Sequence, residues 1–253
     1  MLRILALALA FMASAVSAQE TVIVGLSQSN VAITANFSGS DILVFGAVKR
    51  SGELPADASP LDVVIVVEGP LQQVTVRRKE KKMGIWVNID SVDIDAAPSF
   101  FTVATTAPLD DILPESLQRE HAIGLEYAVR LPEQDLDAET ETFNEAIARI
   151  RVANGLYSER EGAVNFSQET LFDTDIELPA NLIEGDYTTK IFLIRDQEIV
   201  GQTSIQISVR KTGIERWIYN LAQEQALLYG LLSLLVALVA GYGASEIFRR
   251  LKG

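Results

Sequence analysis

The sequence predicts a mainly β protein with one or more immunoglobulin-like antiparallel β-sandwiches, a helical insertion and one C-terminal transmembrane helix. Short segments of alternating apolar and polar residues recur about every ten residues on both sides of a single helical region, as in β-sandwich domains. A charge-free segment, 226–245, lies near the end of the chain. A helix of that length spans roughly 30 Å, the hydrocarbon thickness of a bilayer.

Residues 1–18 have the composition of a secretory signal peptide. A positive start that contains Arg3 precedes an apolar segment, 4–13, and small side chains follow at Val16 and Ala18. This order predicts cleavage before Gln19 and export of the chain that follows.

An N-terminal β-sandwich region, 19–108, is predicted from period-two alternation and from the turn residues between the segments. The segment 63–68 is almost entirely apolar, which is typical of a strand covered on both faces. The predicted hairpin has Lys79 to Gly84 at its tip. The predicted strands are 21–26, 31–37, 42–48, 63–68, 72–78, 85–89 and 100–105.

A helical connector is predicted over 109–156. A short helix begins near Pro114, and a longer helix covers 137–154, where apolar residues from Phe143 to Ile150 recur at helical spacing. Asn154 and the glycine after it are typical of a helix end. The longer helix either packs against a sheet edge or connects two halves of a sandwich.

C-terminal β-sandwich strands are predicted over 157–210, at 171–178, 186–195 and 198–209. Asp196 and Gln197 form the turn between the last two strands. Tyr187 stands at a strand start, where immunoglobulin-like domains have a tyrosine whose hydroxyl bonds to the upstream backbone.

An amphipathic juxtamembrane helix is predicted over 211–225. Ile214, Trp217, Ile218 and Leu221 fall on one face, and polar residues occupy the other. This pattern favours a helix at the membrane surface, with Trp217, Ile218, Leu221 and Tyr229 as interfacial residues. The alternative is a helix that packs on its own sandwich.

The transmembrane helix is predicted over 226–248 and has a row of small residues. Small side chains at four-residue spacing let two helices approach closely in lipid, so the row predicts a helix-packing face. The alternative is a chance row, because these residues are common in membrane helices. The predicted packing residues are Gly230, Ser233, Ala237, Gly241 and Ser245.

A basic tail, 249–253, follows the span and contains Arg249, Arg250 and Lys252 as the cytoplasmic anchor. The positive-inside rule then predicts a single-pass type I protein of the bacterial inner membrane, with its bulk in the periplasm. The chain has no cysteine, which suits a bacterial periplasm better than a eukaryotic secretory route.

Composition and motifs exclude several classes of chemistry. A net charge of −13 without a dominant basic face argues against nucleic-acid binding, and the lack of cysteine excludes thiol chemistry. The single histidine, His121, has no partner histidine or cysteine for a metal or a triad. Asp90, Asp93 and Asp95 loosely resemble calcium-ligand spacing, but solvated loop carboxylates explain them better. No catalytic, cofactor or metal site is predicted, and no enzyme.

The segment 77–82 is strongly basic in an acidic protein, and it stands near Trp86. It predicts a contact for an anionic surface, an acidic partner or an anionic solute. The alternative is a charged turn that protects a hairpin edge from aggregation. The cations concerned are Arg77, Arg78, Lys79, Lys81 and Lys82.

Several stretches together resemble a family of transmembrane proteins of alphaproteobacteria. They include 25–27, 37–47, 84–88, 155–157, 171–172, 178–180, 228–231 and 248–250. The resemblance covers nearly the whole mature chain and implies an uncharacterised envelope protein of this topology. It also implies an association with sulfite-exporter-like transporters, and it places no catalytic residue on this sequence.

The predicted function is that of an accessory or interaction subunit of a membrane complex. Its partners would be the inner membrane and a membrane protein, with a sulfite-exporter-like transporter as the candidate. Two alternatives stay open: a periplasmic module that binds or senses an anionic solute through the basic hairpin, and, less favoured, a membrane-anchored enzyme.

Overall fold

The computed structural model describes residues 20–34, 36–50, 52, 59–129, 138–212 and 214–252. The predicted signal peptide therefore lies outside the described residues. The chain divides into two compact units, which are described separately. The first comprises residues up to Val31 together with Ser38–Ser208, and the second comprises Ala32–Phe37 together with Val209–Gly253.

The molecule is mainly β, as predicted, with one apolar helix near the C-terminus. Twelve strands are described, and they bear out most of the expected segments to within a few residues. They are β1 (Glu20–Leu26), β2 (Asn30–Ile33), β3 (Ser40–Arg50), β4 (Asp62–Glu68), β5 (Leu71–Lys82), β6 (Ile85–Pro98), β7 (Phe101–Thr105), β8 (Tyr157–Arg160), β9 (Asn165–Ser167), β10 (Leu171–Leu178), β11 (Gly185–Arg195) and β12 (Glu198–Lys211).

Five α-helices are described beside these strands, and a single 3-10 turn covers Leu125–Tyr127. The short helix predicted to begin near Pro114 is present, with Pro114 as its N-cap, and a further helical turn precedes it, separated by the extended Leu113. The helices are α1 (Leu109–Ile112), α2 (Glu115–His121), α3 (Ala138–Ala153), α4 (Ile214–Glu224) and α5 (Ala226–Lys252).

The strands form two larger sheets and a separate hairpin. A four-stranded antiparallel sheet has the order β1-β3-β10-β9, and a six-stranded sheet has the order β2-β12-β11-β4-β7-β8. The six-stranded sheet is mixed, because β8 pairs with β7 in parallel. Strands from before and after the helical region pair directly, β3 with β10 and β4 with β11. The specific immunoglobulin-like arrangement stays a prediction.

Strand β4 is buried on both faces, as its unbroken apolar sequence predicts. Val63, Val64, Ile65, Val66 and Val67 have almost no exposed surface. Side chains alternate along a strand, so Val64 and Val66 share one face, where they join the cluster that contains residues of the helices. A single strand thus supplies core to both faces of the six-stranded sheet.

Helix α3 buries the first part of its apolar stripe in the same cluster, whereas Ile150 at the end of the stripe is exposed. Phe143 and Ile147, one turn apart, are both buried there. The helix lies against β8, an edge strand of the six-stranded sheet, and against β5. Packing at a sheet edge was one of the two positions that the sequence left open for this helix.

The strand β6 extends further than the sequence indicates. It continues through 90–95, so Asp90, Asp93 and Asp95 lie in a strand and not in a loop. Asp93 accepts a hydrogen bond from Thr75, and Asp95 accepts one from Gln73, across the β5–β6 pair. Val92 and Ile94 alternate with these polar residues and pack on the core cluster, so this segment is a half-buried strand with polar cross-strand pairs on its exposed face.

Candidate functional surfaces

The apolar helix α5 contains one segment, Ala226–Ser245, that is long and apolar enough to cross a membrane, and it is the one such segment in the described part of the chain. None of it is buried against the protein. Large apolar side chains therefore face outward along its length, which is the arrangement required for contact with lipid. These side chains include Leu227, Leu231, Leu234, Leu235, Val236, Leu238 and Val239.

The small-residue row runs along one side of α5 and is open. A Cβ added to Gly230 or to Gly241 would meet nothing within 4 Å. The hydroxyl of Ser233 donates to the carbonyl of Gly230 at 2.9 Å, so its hydrogen-bonding demand is met inside the helix. Ala237 and Ser245 are also exposed. The row thus presents a shallow, uncharged surface, and the hydroxyl of Ser233 already has its hydrogen-bond partner within the helix.

The predicted interfacial residues lie at the start of this helical segment. Trp217 and Ile218 are exposed on α4, Leu221 is partly buried, and Tyr229 is exposed in the first turn of α5. Gln225 separates the two helices, although its amide still donates to the carbonyl of Leu221. Whether α4 lies in the membrane interface stays a prediction. The helix α5 continues through Lys252, and the side chain of Arg249 is exposed.

The basic residues lie on the strand β5 and not at the turn of the hairpin. The turn itself is Met83-Gly84, because β5 runs to Lys82 and β6 begins at Ile85. Met83 and Gly84 both have positive φ, 51° and 88°. Two central residues of positive φ are the requirement of the type I′ hairpin turn.

The two faces of this hairpin differ in their surroundings. The guanidinium of Arg78 lies over the ring of Phe143 in α3, 4.8 Å from its centroid. Arg77 and Lys79 belong to the opposite face, because alternate residues of a strand point to opposite sides. The nitrogen of Lys82 is 3.5 Å from the carboxylate of Glu80.

A cleft of about 310 Å³ lies where the hairpin meets α3. Arg149 of the helix lines it, as do three of the predicted basic residues, Arg77, Arg78 and Lys79. No local pattern groups Arg149 with them, because it lies about seventy residues further along the chain. Glu145 also lines this cleft and reduces its positive charge.

A cleft of about 920 Å³ is acidic and was not predicted. Asp110, Glu115, Glu126, Glu159 and Glu161 line it. The carboxylate of Glu161 accepts the amide of Leu109 at 3.0 Å, and that of Glu159 accepts the amide of Leu125 at 3.3 Å. The carboxylates come from four separate segments, so no local motif announces them.

Partial desolvation in this cleft raises the pKa of Glu159 above its ordinary value although the residue is exposed, and repulsion by Glu161, Asp110 and Glu126 adds to this effect. The amide of Leu125 opposes the shift by bonding to the carboxylate. No group of three or more histidines and carboxylates within the described ranges is arranged to hold a metal ion. His121 ends α2, and its ring lies 5.6 Å from that of Phe192.

Comparison with known families decides where the chain belongs. A family model described as "Putative transmembrane protein (Alph_Pro_TM)" matches residues 21–250. The chain belongs to this family. The resemblance to transmembrane proteins of alphaproteobacteria is therefore confirmed, and the one apolar helix among the described residues fits a single-pass membrane protein.

Other comparisons add little to the Alph_Pro_TM assignment. No curated protein matches the chain. Among solved structures, it is similar to Spo0M, a sporulation control protein from Bacillus subtilis, with a TM-score of 0.29 and 11% sequence identity. The match covers 84% of this chain and 56% of that one, so the chain spans a little over half the length of Spo0M. A similarity at this level carries no conclusion about fold or function.

Three of the stretches that resemble the Alph_Pro_TM family meet at one cleft of about 580 Å³. Gly39, Gly155 and Pro179 all line it, although they are distant in sequence. Gly39 has a φ of 115°, and a Cβ there would lie 2.9 Å from the carbonyl of Leu178. Only glycine fits that position, which gives a physical reason for one residue of the family pattern.

Proposed function

We propose that this Alph_Pro_TM protein is a type I protein of the bacterial inner membrane that acts as an accessory or interaction subunit of a membrane complex. The observation that carries the proposal is the open row of small residues on α5. A transporter of the sulfite-exporter-like kind is the candidate partner. The proposal includes no catalytic activity for the chain.

The physical basis is the way helices associate in lipid. Lipid tails are as apolar as leucine, so helices there gain free energy mainly through close packing. Gly230 and Gly241 leave the helix backbone accessible, while the leucines on the other sides of α5 suit contact with lipid. A helix that serves only as an anchor gains nothing from such a row.

The orientation rests on charge and on the predicted signal peptide. Arg249, Arg250 and Lys252 follow the span directly and favour a cytoplasmic C-terminus. The mainly β domain would then lie in the periplasm. An immunoglobulin-like sandwich suits such a domain, and the hydroxyl of Tyr187 supports it by donating to the carbonyl of Ile183 at 2.9 Å.

Paired substitutions on α5 test the packing face. Ala237→Leu with Gly241→Leu fills the row, whereas Val236→Leu with Val239→Leu adds side-chain bulk away from it. The full-length chain is crosslinked in native membranes and purified through an affinity tag. We expect the first pair to abolish recovery of the membrane partner and the second to preserve it. Equal recovery with both pairs would contradict the proposal.

The absence of native cysteine makes the orientation directly measurable. Ser204→Cys places a thiol at an exposed position of β12, and Gly253→Cys places one after the span. A membrane-impermeant maleimide added to spheroplasts should label only the first. Labelling of the second in intact spheroplasts would reverse the orientation.

The cleft beside the hairpin favours a second candidate function, the binding of an anionic solute. Arg78 faces α3 over the ring of Phe143, and Arg149 of α3 lines the same cleft, so two guanidinium groups from different elements lie beside it. Sulfite and sulfate should then raise the thermal unfolding temperature of the full-length protein, and Arg149→Gln should reduce that rise. No rise at millimolar anion would count against this function.

A further inference from the structure

We propose that the tip of the β5–β6 hairpin, residues 81–86, docks onto a lipid surface that carries anionic headgroups. This proposal is independent of the packing of α5 with a partner. It concerns a different element of the chain and a different kind of ligand.

The hairpin tip exposes three large apolar side chains. The exposed fraction is 105% for Met83, 65% for Ile85 and 68% for Trp86. Isolated exposed apolar residues are common, but three together at the end of a projecting hairpin form a concentrated apolar tip. Tryptophan is also the side chain most characteristic of the boundary between headgroups and acyl chains.

The conformation of Met83 is a second, independent observation. Its φ of 51° is left-handed, and that conformation costs about 1 kcal/mol or more for a residue other than glycine, asparagine or aspartate. The type I′ turn strongly favours asparagine or aspartate at this position. The chain therefore has a fully exposed methionine where a polar residue would make a more stable turn, which points to a use for its apolar side chain.

Cations surround the apolar tip. Lys81 pairs directly with Trp86 across the hairpin, so their side chains lie on one face. Arg77 and Lys79 precede Lys81 at alternate positions of the same strand and share that face. Within the described ranges, Arg77, Lys79 and Lys81 form no ion pair. This face can therefore attract an anionic surface although the whole chain has a net charge of −13.

The base of the hairpin packs in the core, whereas the side chains at its tip are exposed. Val76 and Ile94 are buried in the core cluster at the base. At about 3.3 Å per residue, Met83 lies roughly 23 Å beyond Val76 along the strand. Between them, most of the side chains on both strands are exposed. The hairpin therefore projects its tip away from the core.

The combination of groups identifies lipid as the ligand. An apolar apex flanked by lysines matches a bilayer surface, where acyl chains lie beneath anionic phosphates. A soluble anion would use the cations but would leave Met83, Ile85 and Trp86 without a role. The same chain contains a transmembrane helix, so a bilayer is always present.

Intrinsic fluorescence tests the proposal on the full-length chain. The sequence has two tryptophans, Trp86 and Trp217, so Trp217→Phe leaves Trp86 as the only reporter. This chain is reconstituted in nanodiscs of phosphatidylcholine alone and in nanodiscs that also contain phosphatidylglycerol. We expect a blue shift of Trp86 emission, and quenching by brominated acyl chains, in the anionic discs. Equal emission in the two discs, without quenching, would overturn the proposal.

Substitutions in the Trp217→Phe background separate charge, apolar contact and folding. Lys81→Glu removes a positive charge and adds a negative one. Each cation near an anionic surface contributes a factor of about five, so this change of two charges should lower the ratio of docked to free hairpin by at least about tenfold. Lys49→Glu changes the net charge equally at an exposed site on β3 and should leave quenching unchanged. Met83→Asn removes an apolar side chain from the tip, so it should reduce quenching by brominated lipid. Asparagine also tolerates the left-handed φ, so the thermal stability of the chain should not fall.

A further arm distinguishes lipid from a dissolved anion. Inorganic phosphate is added to the chain in phosphatidylcholine discs. We expect no blue shift. A shift of the size seen in the anionic discs, without quenching by brominated lipid, would assign the hairpin to a soluble anion and overturn the proposal.

Discussion

The carboxylate of Glu20 accepts a hydrogen bond from the guanidinium of Arg195 at 3.1 Å and thereby joins the four-stranded sheet to the six-stranded sheet. The same oxygen accepts a second bond, at 3.1 Å, from Arg50 on the neighbouring strand β3. The side chain of Glu20 is only 1% exposed. A buried ion pair thus joins the first described strand to β11, although Glu20 and Arg195 are 175 residues apart in the sequence.

Replacement of Glu20 should strongly destabilise the domain. Glu20→Gln removes the buried carboxylate that the largely buried guanidinium groups of Arg50 and Arg195 share, which typically costs about 3 kcal/mol or more. Thermal unfolding of the purified full-length chain measures the loss. Glu169→Gln provides the control, because its exposed carboxylate lies 3.8 Å from Arg50 and should contribute little. Equal unfolding temperatures for the two variants would contradict this expectation.

Replacement of Tyr187 tests the corner bond. Tyr187→Phe removes the donor to the carbonyl of Ile183 but keeps the buried ring. The expected loss of unfolding free energy is about 1 kcal/mol, because a hydrogen-bond partner disappears from a poorly solvated site. Denaturant titration measures it. Tyr127→Phe, at a partly exposed tyrosine bonded to Glu115, should have a smaller effect. No loss of unfolding free energy in Tyr187→Phe would show that the corner bond adds no stability.

Substitution by alanine should destabilise the protein by different amounts at two glycines of the four-stranded sheet. A Cβ on Gly46 would lie 2.4 Å from the ring of Phe172 and 2.7 Å from the carbonyl oxygen of Ile23, and the carbonyl cannot move away. Gly46→Ala should cost about 1–3 kcal/mol. A Cβ on Gly25 would meet only the ring of Phe45, which is partly exposed and can rotate. Thermal unfolding should therefore rank Gly25→Ala as the milder change, and the reverse order would be inconsistent with this packing.

The acidic cleft should make stability depend on pH through Glu159. Its pKa is raised in the folded state, so the folded chain binds more protons than the unfolded chain between the two pKa values. The contribution of Glu159 to stability is complete at a pH below its pKa in the unfolded chain, and it is lost as the pH rises through its pKa in the folded chain. Glu159→Gln should thus raise the unfolding temperature at neutral pH, and the difference should vanish under acidic conditions.

Thermal unfolding across the acidic to neutral range measures this difference. Glu198→Gln, at an exposed position of β12, is the control and should leave the pH dependence unchanged. A Glu159→Gln variant less stable than the parent at neutral pH would show that its bond to the amide of Leu125 outweighs the repulsion in the cleft.

Much of the fold could be predicted because local patterns agree with tertiary burial. The unbroken apolar residues of β4 are buried on both faces, and Asp196-Gln197 does form the turn between β11 and β12. The far half of β6 escaped prediction because its three aspartates were interpreted as loop carboxylates, although Val92 and Ile94 alternate with polar residues there. The strands β8 and β9 were missed because each is short and has few apolar residues.

The membrane segment, its basic tail and the family are evident in the linear order of residues. The segment and the tail are contiguous, so hydropathy and charge along the chain are sufficient to reveal them. Three groupings of distant residues became visible in the folded chain alone: Arg149 with the basic hairpin, five carboxylates around one cleft, and Glu20 with Arg195. Such contacts depend on strand pairing and sheet packing between remote segments, and no local spacing records them. The exposure of Met83 and its left-handed backbone likewise became visible only when the position of the hairpin turn was known.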